Sequence, residues 1–114
     1  MQTDEQMNDA LLRVLAGKTR VGVGYQQLTV TGASAQSLTV PATANYAEIT
    51  VESATLTGYV VRYLKQGSTT LPTTTAGVPL ANGTVFDIDS GTLLADFRVI
   101  AITGSHTLNI EYFK

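Results

Sequence analysis

Apolar and polar positions change period once along this chain. Near the start, Met7, Ala10, Leu11, Val14 and Leu15 recur at i, i+3, i+4 spacing and form one apolar stripe on a helix. Thr3-Asp4-Glu5-Gln6 precedes the stripe as a capping box, in which Thr3 satisfies the Gln6 N–H and the Gln6 side chain reaches back. Gly17 supplies a stop, and Lys18 and Arg20 follow where the helix dipole favours cations. The spacing predicts a helix over about residues 4–16, carried on an N-terminal arm of residues 1–19.

From residue 20 onward the period is two, broken by turn residues. Ala47, Ile49 and Val51 alternate with Glu48, Thr50 and Glu52, which sends one set inward and the other out. Phe86 and Ile88 alternate in the same way with Asp87 and Asp89. Leu28 to Val30 and Leu38 to Val40 flank the small-residue turn Gly32-Ala33-Ser34-Ala35. Val60 to Leu64, Phe97 to Ile102 and Leu108 to Phe113 complete the set of strands. Asn82-Gly83 is the strongest hairpin signal, because both residues accept the positive φ of a type I′ turn. Ser53 to Gly58 and Gly67 to Val78 read as loops. The pattern predicts a mainly β chain: an antiparallel β-sandwich or barrel-like domain of about seven strands over residues 20–114, with one short N-terminal helix.

Length and composition narrow the class. A chain of 114 residues is enough for one ordinary domain with its own core. It has no cysteine, so disulfides, thiolate metal sites and cysteine nucleophiles are all excluded. Charged residues make up only 14% of the chain and threonine stands on many solvent positions instead, so covering the surface with another protein costs little desolvation. The seven basic residues are scattered, whereas a nucleic-acid binder concentrates them on one face. No apolar run approaches the roughly 20 residues of a membrane helix, and the acidic start does not resemble a signal peptide. The expectation is a chain made in the cytoplasm, with neither nucleic acid nor membrane as partner.

Several chemical motifs begin and then fail. Ala16-Gly17-Lys18-Thr19 resembles the end of a P-loop, but Leu12 stands where the first glycine belongs and the strand–loop–helix order is reversed. Asp87 to Gly91 hints at a calcium loop but lacks its ligand at Gly91, its glycine at Thr92 and its glutamate at Arg98. Ser105 and His106 are adjacent, yet a triad needs an orienting carboxylate and a strained, exposed nucleophile. His106 is expected in a solvated turn. No catalytic, cofactor or metal residue is assigned, and the expectation is a protein that is not an enzyme.

Arg62 is the charged residue that stands out, since it interrupts Val60-Val61 and Tyr63-Leu64. One reading is a solvent-facing strand residue. The other is a buried or interfacial arginine held by a carboxylate or by loop carbonyls. With the arm stripe, it forms the candidate interface set: Met7, Ala10, Leu11, Val14, Leu15 and Arg62.

Residues 37–113 carry a resemblance. Pro41 to Glu52 has a Pro-Ala-X-Ala opening before a strand ending in glutamate. Arg62-Tyr63, the Pro72-Thr73 loop, Gly77-Val78-Pro79-Leu80 and the closing strand Leu108 to Phe113 follow. This succession resembles small structural proteins of tailed bacteriophages. The resemblance implies a virion location and a symmetric oligomer, a trimer being the favoured count. The most specific expectation is a head decoration or minor capsid subunit that adheres to other virion proteins such as the major capsid protein. A tail, connector or fibre subunit is the nearest variant. A carbohydrate-binding sandwich module is the competing class, disfavoured because the chain has no tryptophan for sugar stacking.

Overall fold

The computed structural model describes residues 20–114. The expected helix at residues 4–16 and the stripe Met7, Ala10, Leu11, Val14 and Leu15 lie outside the described residues. Within them the chain is mainly β, with 47% strand and 6% helix. The elements run β1 (Gly22–Thr31), β2 (Tyr46–Glu52), β3 (Tyr59–Leu64), β4 (Val78–Ala81), β5 (Val85–Ile88), α1 (Gly91–Asp96), β6 (Arg98–Ala101) and β7 (Ser105–Phe113). They form two antiparallel sheets, β1-β7-β2-β5 and β4-β3-β6.

Alternation builds the first sheet. Ala47, Ile49 and Val51 of β2 are buried, as are Leu108, Ile110 and Tyr112 of β7, while Glu48, Glu52 and Glu111 face solvent. Register places these rows side by side, with Ile49 opposite Ile110 and Val51 opposite Leu108. The second sheet contributes Val61, Leu80, Val99 and Ala101 to the same core. Phe97 joins the layers. It is fully buried, and its ring centroid lies 5.7 Å from Tyr63 of β3 and 6.1 Å from Phe86 of β5.

Two strand expectations change. Leu38 to Val40 is not a strand beside β1. Residues 32–45 leave the first sheet and cross to the second, where Gln36 and Val99 exchange backbone hydrogen bonds of 2.8 and 3.0 Å. Leu38 then drops into the core. Conversely, Val78 to Ala81, read as the end of a loop and a turn, forms β4. Its Pro79 is compatible with a strand there because β4 is an edge strand and the missing N–H can face outward.

Asn82-Gly83 is a turn, but it joins strands of different sheets. Among the described residues only glycines have positive φ, and Gly83 has φ 83°. With negative φ at Asn82 and a Thr84 N–H to Ala81 C=O bond of 3.2 Å, the turn has the type II pattern instead of type I′. Asn82 also accepts the Ser53 N–H at 2.9 Å, tying this crossover to the one after β2.

Helix α1 was not anticipated. Ser90 caps it by accepting the Leu93 N–H at 3.4 Å, and Leu94 fills the core. Its single apolar turn is too short to show a helical period in sequence.

Tyr112 is the most buried phenol, 1% exposed, and it donates to Gln26 Oε1 at 2.6 Å. Burial pushes its pKa up to about 12. The unfolded phenol ionises near 10. Because the folded pKa is the higher one, this stabilisation is complete below pH 10 and is lost as pH rises from 10 through 12. Ultraviolet titration of the tyrosines should show a late step near pH 12 that Tyr112→Phe removes. A wild-type curve finished by about pH 11 would contradict the burial of this phenol.

Candidate interaction surface

The first described residues, Arg20 and Val21, are held against the first sheet. Val21 and Lys114 exchange backbone hydrogen bonds of 3.0 Å each, extending the β1–β7 pairing to the end of the chain. Arg20 lies with its guanidinium carbon 3.6 Å from the centre of the Tyr46 ring, a close cation–π contact. The Tyr46 ring meets Phe113 edge-on at 5.7 Å, and its hydroxyl donates to Asp87 Oδ2 at 3.0 Å. Burial, followed by the bond to Asp87, raises the Tyr46 pKa. Residue 19 is therefore joined to a chain already anchored at the corner of the first sheet.

Arg62 is half-buried, between its two expected forms, and loop carbonyls hold its side chain. Its Nε donates to Thr74 O at 3.3 Å and its Nη1 to Gly77 O at 2.9 Å. The β3–β4 loop folds back over the outer face of the second sheet to provide these acceptors. Gly67 and Pro72 of the loop are buried, and a methyl group at Gly67 would sit 2.5 Å from Arg98 Cβ. Arg62→Ala should therefore loosen the loop and destabilise the fold by about 1–3 kcal/mol, because Thr74 O and Gly77 O lose a charged donor. Lys65→Ala, at an exposed position, should stay within about 0.5 kcal/mol. Chemical denaturation with limited proteolysis of residues 66–77 measures both. Equal stability and equal cleavage would show that the carbonyl clamp contributes nothing.

His106 is not in a solvated turn. It belongs to β7 and is 8% exposed. Its Nε2 lies 2.6 Å from Thr103 O and its Nδ1 2.7 Å from Ser53 Oγ. A carbonyl can only accept, so Nε2 carries the proton, and in the neutral ring Nδ1 accepts from the Ser53 hydroxyl. Ser53 Oγ in turn accepts the Thr55 N–H at 2.9 Å. Both ring nitrogens and the hydroxyl are thus used in tying the β6–β7 turn to the loop after β2. The sequence missed this because Ser53 and His106 are 53 residues apart.

The remaining surface has three features. A cleft of about 500 Å³ beside β3 and β4 is lined by Tyr63, Leu64, Lys65, Gln66, Thr69, Thr70 and Val78. On the outer face of the first sheet, Glu48 stands opposite both Glu111 and Asp87, although no three His, Cys, Asp or Glu side chains among the described residues are placed to hold a metal ion. Tyr25 and Tyr59 lie in β1 and β3 and are more than half exposed. They sit in different sheets, so they do not form one aromatic platform. No described helix is long and apolar enough to cross a membrane.

No protein-family model, curated protein or solved structure matches this chain.

Proposed function

We propose that this protein is a non-enzymatic structural subunit of a tailed-bacteriophage virion, a head decoration or minor capsid protein that works by adhesion. In this reading residues 20–114 are a rigid body, and the apolar stripe of the arm docks on a neighbouring copy or on another virion protein such as the major capsid protein. The observation that carries the reading is the junction at Arg20 and Val21. There the chain is fixed to the outer corner of a sandwich whose core cluster is assembled from residues 30–112. No buried side-chain polar atom among the described residues lacks a partner, so that body needs no further polar group to complete it. The sequence resemblance over residues 37–113 and the low charge content point the same way.

Copy number in purified particles is the test. Quantitative mass spectrometry should find the chain at hundreds of copies per particle, as for a subunit spread over a head. A handful to a few dozen copies would move the assignment to the tail, connector or fibre. Absence from particles would overturn the virion reading.

A further inference from the structure

The sandwich has four edge strands, and three of them are guarded against pairing. β4 has four residues including Pro79, and β5 has four including the exposed Asp87. β6 has four, and Gln36 bonds to the backbone of its Val99. Short length, proline, charge and a covering segment are the devices by which sheets avoid adding strands. β1 lacks the first three, and the segment that touches it, at Thr39 and Pro41, makes no hydrogen bond to its backbone. The strand runs for ten residues, Gly-Val-Gly-Tyr-Gln-Gln-Leu-Thr-Val-Thr, without a charged residue or a proline, and among the described residues it pairs with β7 alone.

The side chains leave this edge clear. The one irregularity of β1 lies between Gly22 and Gly24, so Tyr25 to Thr31 keep an unbroken register with β7. The Tyr25 hydroxyl and Gln27 Nε2 both donate to Asn109 Oδ1 of β7, at 2.7 and 3.3 Å, which draws them back over the sheet and away from the edge. Gln26 turns the other way, accepting from Tyr112 Oη and from the Thr39 N–H. The connecting segment at Thr39 and Pro41 is thus held to β1 through side chains, while the outer backbone groups of β1 have no partner strand among the described residues.

We propose that this edge pairs with the β1 edge of a second copy, antiparallel about a two-fold axis, joining two first sheets into one of eight strands. The occupant follows from self-compatibility. A two-fold centred near Leu28 sets Gln27 against Thr29 of the other copy and Tyr25 against Thr31, with no like charges opposed. The inference rests on the β1 edge alone and goes beyond the docking of the arm and the virion location in the proposed function.

The test uses the full chain and two variants at exposed β1 positions: Gln27→Lys with Thr29→Lys, and Gln27→Glu with Thr29→Glu. Wild type should associate through a two-fold contact in sedimentation equilibrium, with amide protection over residues 25–31 that rises with protein concentration. Each variant alone should dissociate about tenfold or more easily, since the axis repeats every like-charge opposition. Mixing the two should restore association as a heterodimer. Unchanged melting of both variants shows that the fold is intact. Concentration-independent protection in wild type, variants that associate as wild type does, or a mixture that stays apart would each overturn the proposal. An assembly of three copies that both variants leave intact would place self-association elsewhere and leave the docking of the arm standing.

Discussion

Phe97→Ala should lower the stability of the sandwich by about 3–5 kcal/mol, the cost of emptying a fully buried aromatic site. Phe97 sits between the end of α1 and the start of β6, and its ring faces Tyr63 in one sheet and Phe86 in the other. Tyr63 and Phe86 are themselves stacked with centroids 4.9 Å apart, so the three rings form one contact that spans both layers. Alanine would leave a cavity between sheets that cannot collapse without moving β3 or β5 from its partners. A single domain of this size holds about 5–15 kcal/mol in total, so the loss is a large fraction of the whole. Thermal unfolding should show Tm lowered by more than about 12 °C. Leu56→Ala is the control, because Leu56 is 80% exposed and its truncation should cost no more than about 0.5 kcal/mol. A Phe97→Ala protein that melts within a few degrees of wild type would mean that the aromatic trio does not hold the layers together.

Removing the arm should have the opposite profile: little effect on stability and a large effect on assembly. A chain beginning at Arg20 keeps the cation–π contact with Tyr46 and the Val21–Lys114 pairing, so it should remain soluble and β-rich with nearly the wild-type Tm. It should nevertheless fail to bind particles. The sequence leads us to expect a helix of about 13 residues there, and an isolated helix of that length is marginal in water, so in the proposed reading it persists by docking. Burying Met7, Leu11, Val14 and Leu15 contributes roughly 1.5–3 kcal/mol each, enough to hold a subunit in place. Leu11→Asp with Val14→Asp should reproduce the loss by putting two charges on the stripe. Particle co-sedimentation reads both proteins. Unfolding of the shortened chain would make the arm part of the domain's own core. Normal binding by either variant would move the adhesive surface onto the sandwich, where the cleft beside β3 and β4 is the next place to look.

Much of the sandwich was legible in the chain because alternation is a local property. A strand with one buried face must alternate, and Ala47-Glu48-Ile49-Thr50-Val51-Glu52 declares its faces whatever it pairs with. The same holds for Phe86 to Ile88 and Leu108 to Tyr112, whereas Val60 to Leu64 showed itself only as a dense apolar run, with Val60 and Val61 both buried. The candidate surface was less legible. The arm stripe is a helical period on residues outside the described part of the structure. Arg62 stood out only as a charge in an apolar run, and its acceptors, Thr74 O and Gly77 O, lie 12 and 15 residues ahead.

Sequence alone therefore determined which segments alternate and which of their faces are apolar. Tertiary structure decided what each segment meets. Leu38 to Val40 alternates like a strand, but the crossover geometry gives its neighbour Gln36 a partner in β6 and turns Leu38 into the core. Asn82-Gly83 has the composition of a hairpin, yet the preceding strand bonds to β3 and the following one to β2, so the turn must pass between sheets. His106 sits after glycine and serine like a surface residue, but Ser53 and Thr103 O supply both partners that allow its ring to be buried. That β1 is an edge strand among the described residues is likewise a property of the assembled sheet order, since no local period reports which side of a strand is paired. Periodicity fixes the faces of a strand, while non-local hydrogen bonds and burial choose its neighbours, and only the folded chain brings those together.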